Sequence, residues 1–585
     1  MALFKSLSIL TLRYNVFRFS ALSISTRKVS KLSYDHRVSD TPLRYETYCD
    51  VLDRAVEKFP DRPAITSFHQ RITKTFHEFH NDVTSLAAGI VSLGLSKGTK
   101  VAVLSPNNYE WIASQYALAY AGLVMTTINP ALTEPEICYA INKSKSEAVI
   151  IAECYKTTNY INLMKNIIPN LDDFDNAHIR SEKLPSLKHI ITMQPTVSKS
   201  TFSLNELSNR GGEKEYKVKL EKIRKYIQPD DPVNIQFTSG TTGKPKGVVL
   251  SHYSLINNAD CCVKAFKLTE KDSICLPVPL FHCFGCVLGT TAMALSCSKI
   301  VLPSSTYSPK EVLEAIDQEK CTVLYGSPTM FTDFVNHPDF KKYHYSSLRG
   351  GIMAASICPM KLLKTIHDDM NMKDVCVAYG TTENSPLITM TDINDSLDIR
   401  CSTVGRTLGH IETKVIDSEG RIVKRGEKGE LCARGFQVML EYFEDDEKTK
   451  ETLRKDRWYR TGDLATMDDD GYIRIVGRIK DMIIRGGENI YPSEIEEFLL
   501  THPSIAEVQV FGVPDDRLGE IVCAWIKLKP DQNLSETAVK NFCSGKLAKF
   551  KIPIHIRFVN TFPKVESGKI KKNDMTEAMM KELKL

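Results

Sequence analysis

A chain of 585 residues, 42% of them hydrophobic and 25% charged, is long enough to bury several cores, and its length suggests roughly three or four domain-sized units. Six basic side chains (Lys5, Arg13, Arg18, Arg27, Lys28, Lys31) and no acidic one precede Asp35, so the net charge of +5 is concentrated in the leader and the remainder is near neutral. That balance excludes a nucleic-acid-binding surface on charge grounds.

Residues 1–33 spread those basic charges among Leu, Ile, Phe and seven serines, the composition of a mitochondrial transit peptide, and a mature chain is expected to begin downstream of about Arg27. A secretory signal would want one unbroken apolar stretch, which Arg13 and Arg18 interrupt. Sixteen cysteines scattered without a dense framework fit a reducing compartment. Along the chain, helical patterns at 51–59 and 310–320 alternate with short β-rich runs at 101–104, 148–151, 299–302, 322–325 and 374–378. This is the rhythm of parallel sheets covered by helices. Two charge-free stretches, 111–133 and 273–298, reach membrane-spanning length. Gln115, Asn129 and Pro130 in the first, and Pro277, Pro279 and His282 in the second, favour buried elements of an α/β core, so no transmembrane segment is expected and membrane association would be peripheral. The polar segment 196–224, with its Gly211-Gly212 pair, reads as an exposed insertion.

The strongest motif is Thr238-Ser239-Gly240-Thr241-Thr242-Gly243-Lys244-Pro245-Lys246-Gly247, between an alternating strand at 233–237 and a second apolar run at 248–250. Three glycines and four hydroxyls in ten residues let the backbone curl so that N–H and O–H donors face a polyphosphate, while Lys244 and Lys246 offset its charge. It is not a Walker A loop, because Pro245 follows Gly243-Lys244 and a strand comes next where that loop enters a helix. A flexible glycine-rich turn is the bland alternative. The motif resembles the phosphate loop of the adenylate-forming superfamily, which includes acyl-CoA synthetases, firefly luciferase and the adenylation domains of peptide synthetases.

Farther along, Cys283 and Cys286 form a C-x-x-C without a second pair at zinc spacing, and they read as packing. The resemblance implies that neighbouring His282 belongs to an acyl pocket, although a lone His in an apolar run is more often a satisfied core residue. The run 350–355 resembles the adenine-side loop of the superfamily, entering a helix near Pro359. Tyr379-Gly380-Thr381-Thr382-Glu383 follows a strand at its carboxyl end, where α/β proteins place ligands. By resemblance Tyr379 stacks on adenine, Thr382 contacts the α-phosphate and Glu383 holds Mg²⁺, a hard cation suited to a carboxylate plus phosphate oxygens. Acetyl-CoA synthetases carry tryptophan where this chain has Gly380, so a tail longer than acetyl is expected to fit.

From about Val404 short strands alternate with Asp/Glu-Gly turns at 417–420, 426–429 and 468–471, which predicts an antiparallel subdomain. Taking Asp470-Gly471 as a two-residue hairpin turn pairs Asp469 with Tyr472 and brings Asp463 opposite Arg478. A carboxylate and a guanidinium there suit ribose hydroxyls, although an ordinary cross-strand ion pair is the commoner meaning of such a pair taken alone. The resemblance matches them to the superfamily's ribose-binding Asp and Arg. It also makes Lys480 the hinge to a C-terminal domain, places Gly486 and Gly487 in a loop lining the pantetheine tunnel of CoA, and makes Lys569 the catalytic lysine of adenylation. Lys569 otherwise stands in a solvated basic tail.

The resemblance spans about 45 to 580 and is expected to carry an α/β fold: a large N-terminal domain, 45–479, of two parallel-rich sheets plus an antiparallel subdomain, and a small mobile α+β domain, 480–585. The runs VAYGTTENSP and GRIKDMIIRGGENIYP resemble the mitochondrial medium-chain acyl-CoA synthetases. The expected enzyme is thus an acid–thiol ligase of the mitochondrial matrix with a fatty acid, ATP and coenzyme A as substrates. A carrier-protein ligase would share the adenylation motifs, but only sixteen residues follow Lys569. A luciferase-like oxygenase would be revealed by light or oxygen uptake. A pseudoenzyme is disfavoured by the joint presence of Glu383, Asp463, Arg478 and Lys569.

Overall fold

The structure is a computed structural model that describes residues 31–175, 179–195, 198–238, 245–354, 360–485, 488–564 and 570–584. Two large sheets form the N-terminal body. The first runs Thr201–Ser203, His189–Thr192, Ala148–Ile151, Lys100–Leu104, Val124–Ile128 and Pro232–Thr238 in parallel, and closes with antiparallel Lys246–Ser251 and Glu441–Tyr442. The second has six parallel strands, from Asp374–Gly380 through Gly350–Ala354 and Val323–Gly326 to Pro63–Ser67, with antiparallel strands at both ends. Parallel strands need covering on both faces, and the predicted apolar runs fill that role: Val101, Ala102, Val103 and Leu104 are all fully buried. The covering helices begin on side-chain caps, with capping boxes at Thr47, Thr75 and Ser251, each contributing about 1 kcal/mol.

Both charge-free stretches are interior. The first forms the helix Tyr109–Tyr120, buried at every residue but Glu110, and the fully buried strand Val124–Ile128. Among the described residues no helix is long and apolar enough to cross a membrane. The segment 196–224 is not an insertion. Its strand Thr201–Ser203 extends the first sheet, and the helix Leu204–Gly211 packs on the helix Phe76–Val91. A Cβ on Gly211 would lie 1.8 Å from the Ser85 carbonyl oxygen, and one on Gly89 1.8 Å from that of Leu207, so these glycines permit close helix contact. Composition misleads here because the polar residues line the outer face of a packed element. The run 350–355 is likewise a buried strand as far as Ala354, where a loop was expected, because Gly350 and Gly351 sit against the backbone of neighbouring strands.

The antiparallel subdomain is a five-stranded sheet in the order Tyr34–His36, Ile411–Ile416, Gly429–Gly435, Tyr459–Met467, Ile473–Arg478. Its first strand lies upstream of the boundary expected at 45, and Ser33 is already fully buried, donating to Val423 O at 2.8 Å. The C-terminal unit has its own sheet of Ile483–Arg485, Glu488–Ile490, Gly519–Leu528, Ile505–Asp515 and His555–Phe558, with helices Pro492–Leu500, Glu536–Cys543 and Lys572–Leu583 around separate apolar clusters. An independent core of this kind is what a separate domain requires.

Candidate active site

Asp463 does face Arg478, but not by the predicted turn. Asp468 N–H donates to Tyr472 O at 3.0 Å and Gly471 N–H to Asp468 O at 3.1 Å, enclosing a three-residue loop of Asp469, Asp470 and Gly471. Gly471 takes a left-handed φ of 86°, as such loops demand. This shifts the register by one, and a bulge that leaves Val476 unpaired between Ile475 and Gly477 shifts it back. The bulged Val476 carbonyl then accepts from the Ser493 hydroxyl of the C-terminal unit.

Around that pair the second sheet and the antiparallel subdomain meet. Arg478 Nε lies 3.2 Å from Asp463 Oδ1, and the Tyr379 hydroxyl donates to Asp463 Oδ2 at 2.6 Å. Asp463 is 4% exposed, and its own N–H donates to the Thr461 hydroxyl at 3.1 Å. Burial, and then Asp463, pushes the Tyr379 phenol well above its ordinary pKa, so it remains a donor. Burial works against the Arg478 cation, and Asp463 and Asp481 more than offset it. A buried carboxylate is acceptor-only, the type of group that takes hydrogen bonds from hydroxyl donors.

A second cluster lies at the end of the first sheet. Thr238 and Lys246 are opposite each other at the mouth of the loop, and Pro245 O accepts from the Tyr139 hydroxyl at 3.0 Å. Lys246 Nζ stands 4.0 Å from the centroid of the Tyr442 ring, whose hydroxyl donates to Glu383 Oε1 at 2.8 Å. Burial lowers the pKa of the Lys246 ammonium, with Glu383 and Asp445 pulling it back. Thr382 is held beside Cys283, whose thiol points to Thr382 Oγ1 at 3.9 Å. Burial pushes the Cys283 thiol up to about 12, so it is inert packing, as its sequence context predicts. No group of three or more His, Cys, Asp or Glu among the described residues is arranged to hold a metal. A single carboxylate, Glu383, fits Mg²⁺ bound chiefly through nucleotide phosphates rather than through a protein cage.

His282 Nδ1 accepts from Phe284 N–H at 3.2 Å and caps the short helix Cys283–Gly285, so its tautomer carries the proton on Nε2. Gly380 has a backbone reason beyond pocket length: a Cβ there would lie 1.8 Å from Pro386 O. Lys480 is exposed in the turn Ile479–Asp481, between the last strand of the antiparallel sheet and the first of the C-terminal sheet, where a hinge belongs. Residues 239–244, Gly486, Gly487 and Lys569 lie outside the described residues. Their neighbours are placed: Arg485 pairs with Glu488, and Lys564 bridges Ile570. Two surface cavities, of about 460 and 380 Å³, are lined by residues such as Arg71 and Glu311, or Glu153 and Lys156, and share none with these clusters. Tyr442 escaped sequence reasoning because no local pattern surrounds it, and its partners lie 59 and 196 positions away.

Two parallel-rich sheets, an antiparallel subdomain that carries the Asp463–Arg478 pair and a separate C-terminal unit are the architecture of an adenylate-forming enzyme. The chain belongs to the AMP-binding enzyme family, whose model matches residues 52–443, and the AMP-binding enzyme C-terminal domain matches 494–569. It is 44% identical over 556 residues to the mitochondrial medium-chain acyl-CoA ligase ACSF2 of Danio rerio, covering 94% of this chain and 91% of that protein. It is 42% identical over 536 residues to the putative acyl-CoA synthetase YngI of Bacillus subtilis (strain 168), covering 92% and 97%. Among solved structures, the anthranilate CoA ligase AuaEII in complex with anthranoyl-AMP superposes with a TM-score of 0.79 at 26% identity, covering 93% of this chain and 99% of that one.

Proposed function

We propose that the chain is an ATP-dependent acyl-CoA ligase that activates a medium-chain fatty acid and transfers it to coenzyme A. The observation that carries the reading is the Tyr379–Asp463–Arg478 cluster, a built receptor for a ribose diol beside an aromatic face. The fatty carboxylate, already ionised, attacks the α-phosphorus; its oxygen forms the new P–O bond as the bond to pyrophosphate breaks. Attack of the CoA thiol on the acyl carbon then expels AMP, with loss of the thiol proton. Lys246 and the loop it ends would cradle the leaving phosphates, Thr382 would contact the α-phosphate, and Lys569 would offset charge in the adenylation transition state. Glu383 would hold Mg²⁺, which supplies charge neutralisation at the phosphates.

Rotation about Lys480 would bring Gly486 and Gly487 to line the CoA arm for the second step. His282 and Gly380 would border the acyl pocket. The basic leader, together with relatives named mitochondrial, supports import into the matrix, with cleavage downstream of about Arg27 and before the paired residues that begin at Lys31. The test is ATP–pyrophosphate exchange across an acid panel followed by thioester detection. AMP and pyrophosphate are expected as products, with the highest rate on medium-chain acids; ADP and phosphate as main products would refute adenylation.

A further inference from the structure

Tyr442 joins the two oppositely charged groups of the phosphate end of the site. It lies in the strand Glu441–Tyr442, opposite Val248 of the strand that leaves the nucleotide loop, and Phe443 N–H donates to Gly247 O at 2.7 Å. These backbone bonds, and Tyr442 N–H donating to the Thr449 hydroxyl at 2.9 Å, hold the 2% exposed ring beside Lys246. The ammonium of Lys246 rests on the ring face and the Glu383 carboxylate on the ring hydroxyl. Each of these two described residues meets Tyr442, and among the ion pairs of the described residues none joins them directly. Glu383 is the first charge that raises the Lys246 pKa against its burial, so the two groups attract across the ring that each of them touches.

We propose that Tyr442 is a positioning residue that keeps Lys246 and Glu383 apart as two separate charges, one for the polyphosphate and one for its divalent cation. The inference rests on the reading of Lys246 and Glu383 given above. A π face holds an ammonium without cancelling its charge, as a carboxylate partner would. The hydroxyl occupies one lone pair of Glu383 Oε1 and leaves Oε2 for a metal, orienting the ligand in the manner of outer-shell partners elsewhere. Without the hydroxyl, the carboxylate is free to turn to the ammonium, withdrawing the metal ligand and the phosphate contact together.

The test uses the full chain in three variants, Tyr442→Phe, Tyr442→Leu and Glu383→Gln, each checked for its thermal unfolding midpoint. Binding of α,β-methylene-ATP is measured by calorimetry across a Mn²⁺ series, beside the Mg²⁺ dependence of ATP–pyrophosphate exchange. Tyr442→Phe is expected to raise the half-saturating metal concentration roughly tenfold or more in both, with the exchange rate recovering at saturating Mg²⁺. Tyr442→Leu also removes the ring and is expected to remain slow at saturating Mg²⁺. If Glu383→Gln shifts the metal dependence and Tyr442→Phe titrates like the unaltered protein, the positioning role is overturned while the site reading stands. If Glu383→Gln leaves the metal dependence unchanged, the site reading fails and the proposal with it.

Discussion

Asp463→Asn isolates the ribose contact from everything else in the site. The carboxylate is 4% exposed and accepts from Tyr379 at 2.6 Å, and a bound ribose would add diol hydroxyls to the same oxygens. A hydrogen bond to a charged acceptor contributes roughly 1.5–3 kcal/mol, against about 1 for its neutral counterpart. The Arg478 side chain is 38% exposed, so solvent screens much of the charge that loses its partner, and little is added for it. The net loss is about 1–2 kcal/mol, or roughly a five- to thirtyfold weaker interaction with ATP. The assay is ATP–pyrophosphate exchange with ATP, 2′-deoxy-ATP and 3′-deoxy-ATP on both proteins. The unaltered protein should discriminate against the deoxynucleotides by about tenfold, and Asp463→Asn should lose most of that discrimination, since the variant and the missing hydroxyl remove the same bond. An unchanged ratio would show that the carboxylate never touches ribose and that the pair is an ordinary cross-strand ion pair.

Lys569→Ala should abolish acyl-adenylate formation yet spare thioester synthesis from synthetic acyl-AMP and CoA, whereas Gly487→Leu should do the reverse; equal loss of both steps in folded variants would refute a two-conformation mechanism. Gly380→Ala places a Cβ 1.8 Å from Pro386 O, so its urea midpoint should fall by the equivalent of about 1–3 kcal/mol, and an unshifted midpoint would mean that the backbone at Pro386 yields freely. Burial lowers the pKa of His252 from 6.5 to about 4, and its Nδ1 accepts from Tyr48 N–H at 3.2 Å. The unfolded chain therefore binds this proton first: the full contribution is present above about pH 6.5, and about 3 kcal/mol of stability is lost as pH falls toward 4. Thermal unfolding of His252→Gln across that window should show a correspondingly flatter profile.

The buried strands were legible because their signal is local. An apolar run between helical patterns specifies a buried parallel strand, as at 101–104 and 148–151. The hairpin shows where such reading ends. Alternation and Asp470-Gly471 pointed to the correct Asp463–Arg478 pair, but through a two-residue turn that the protein replaces with a three-residue loop and a compensating bulge at Val476. Turn length and bulge are set by how the strand packs on its neighbours, including Ser493 from another domain, and no window of sequence contains that information.

By itself, then, the sequence determined most of the alternating strands and helices of the parallel sheets and the acid–base types available to the site. Only the tertiary structure decided which of those side chains meet. Tyr379 reaches Asp463 across 84 positions and Tyr442 reaches Glu383 across 59. The glycines at 89 and 211 serve a helix contact rather than a flexible loop. Propensity and hydrophobic period act over a few residues, whereas a contact between sheets depends on the summed packing of every layer between them, which is fixed only when the whole core has closed.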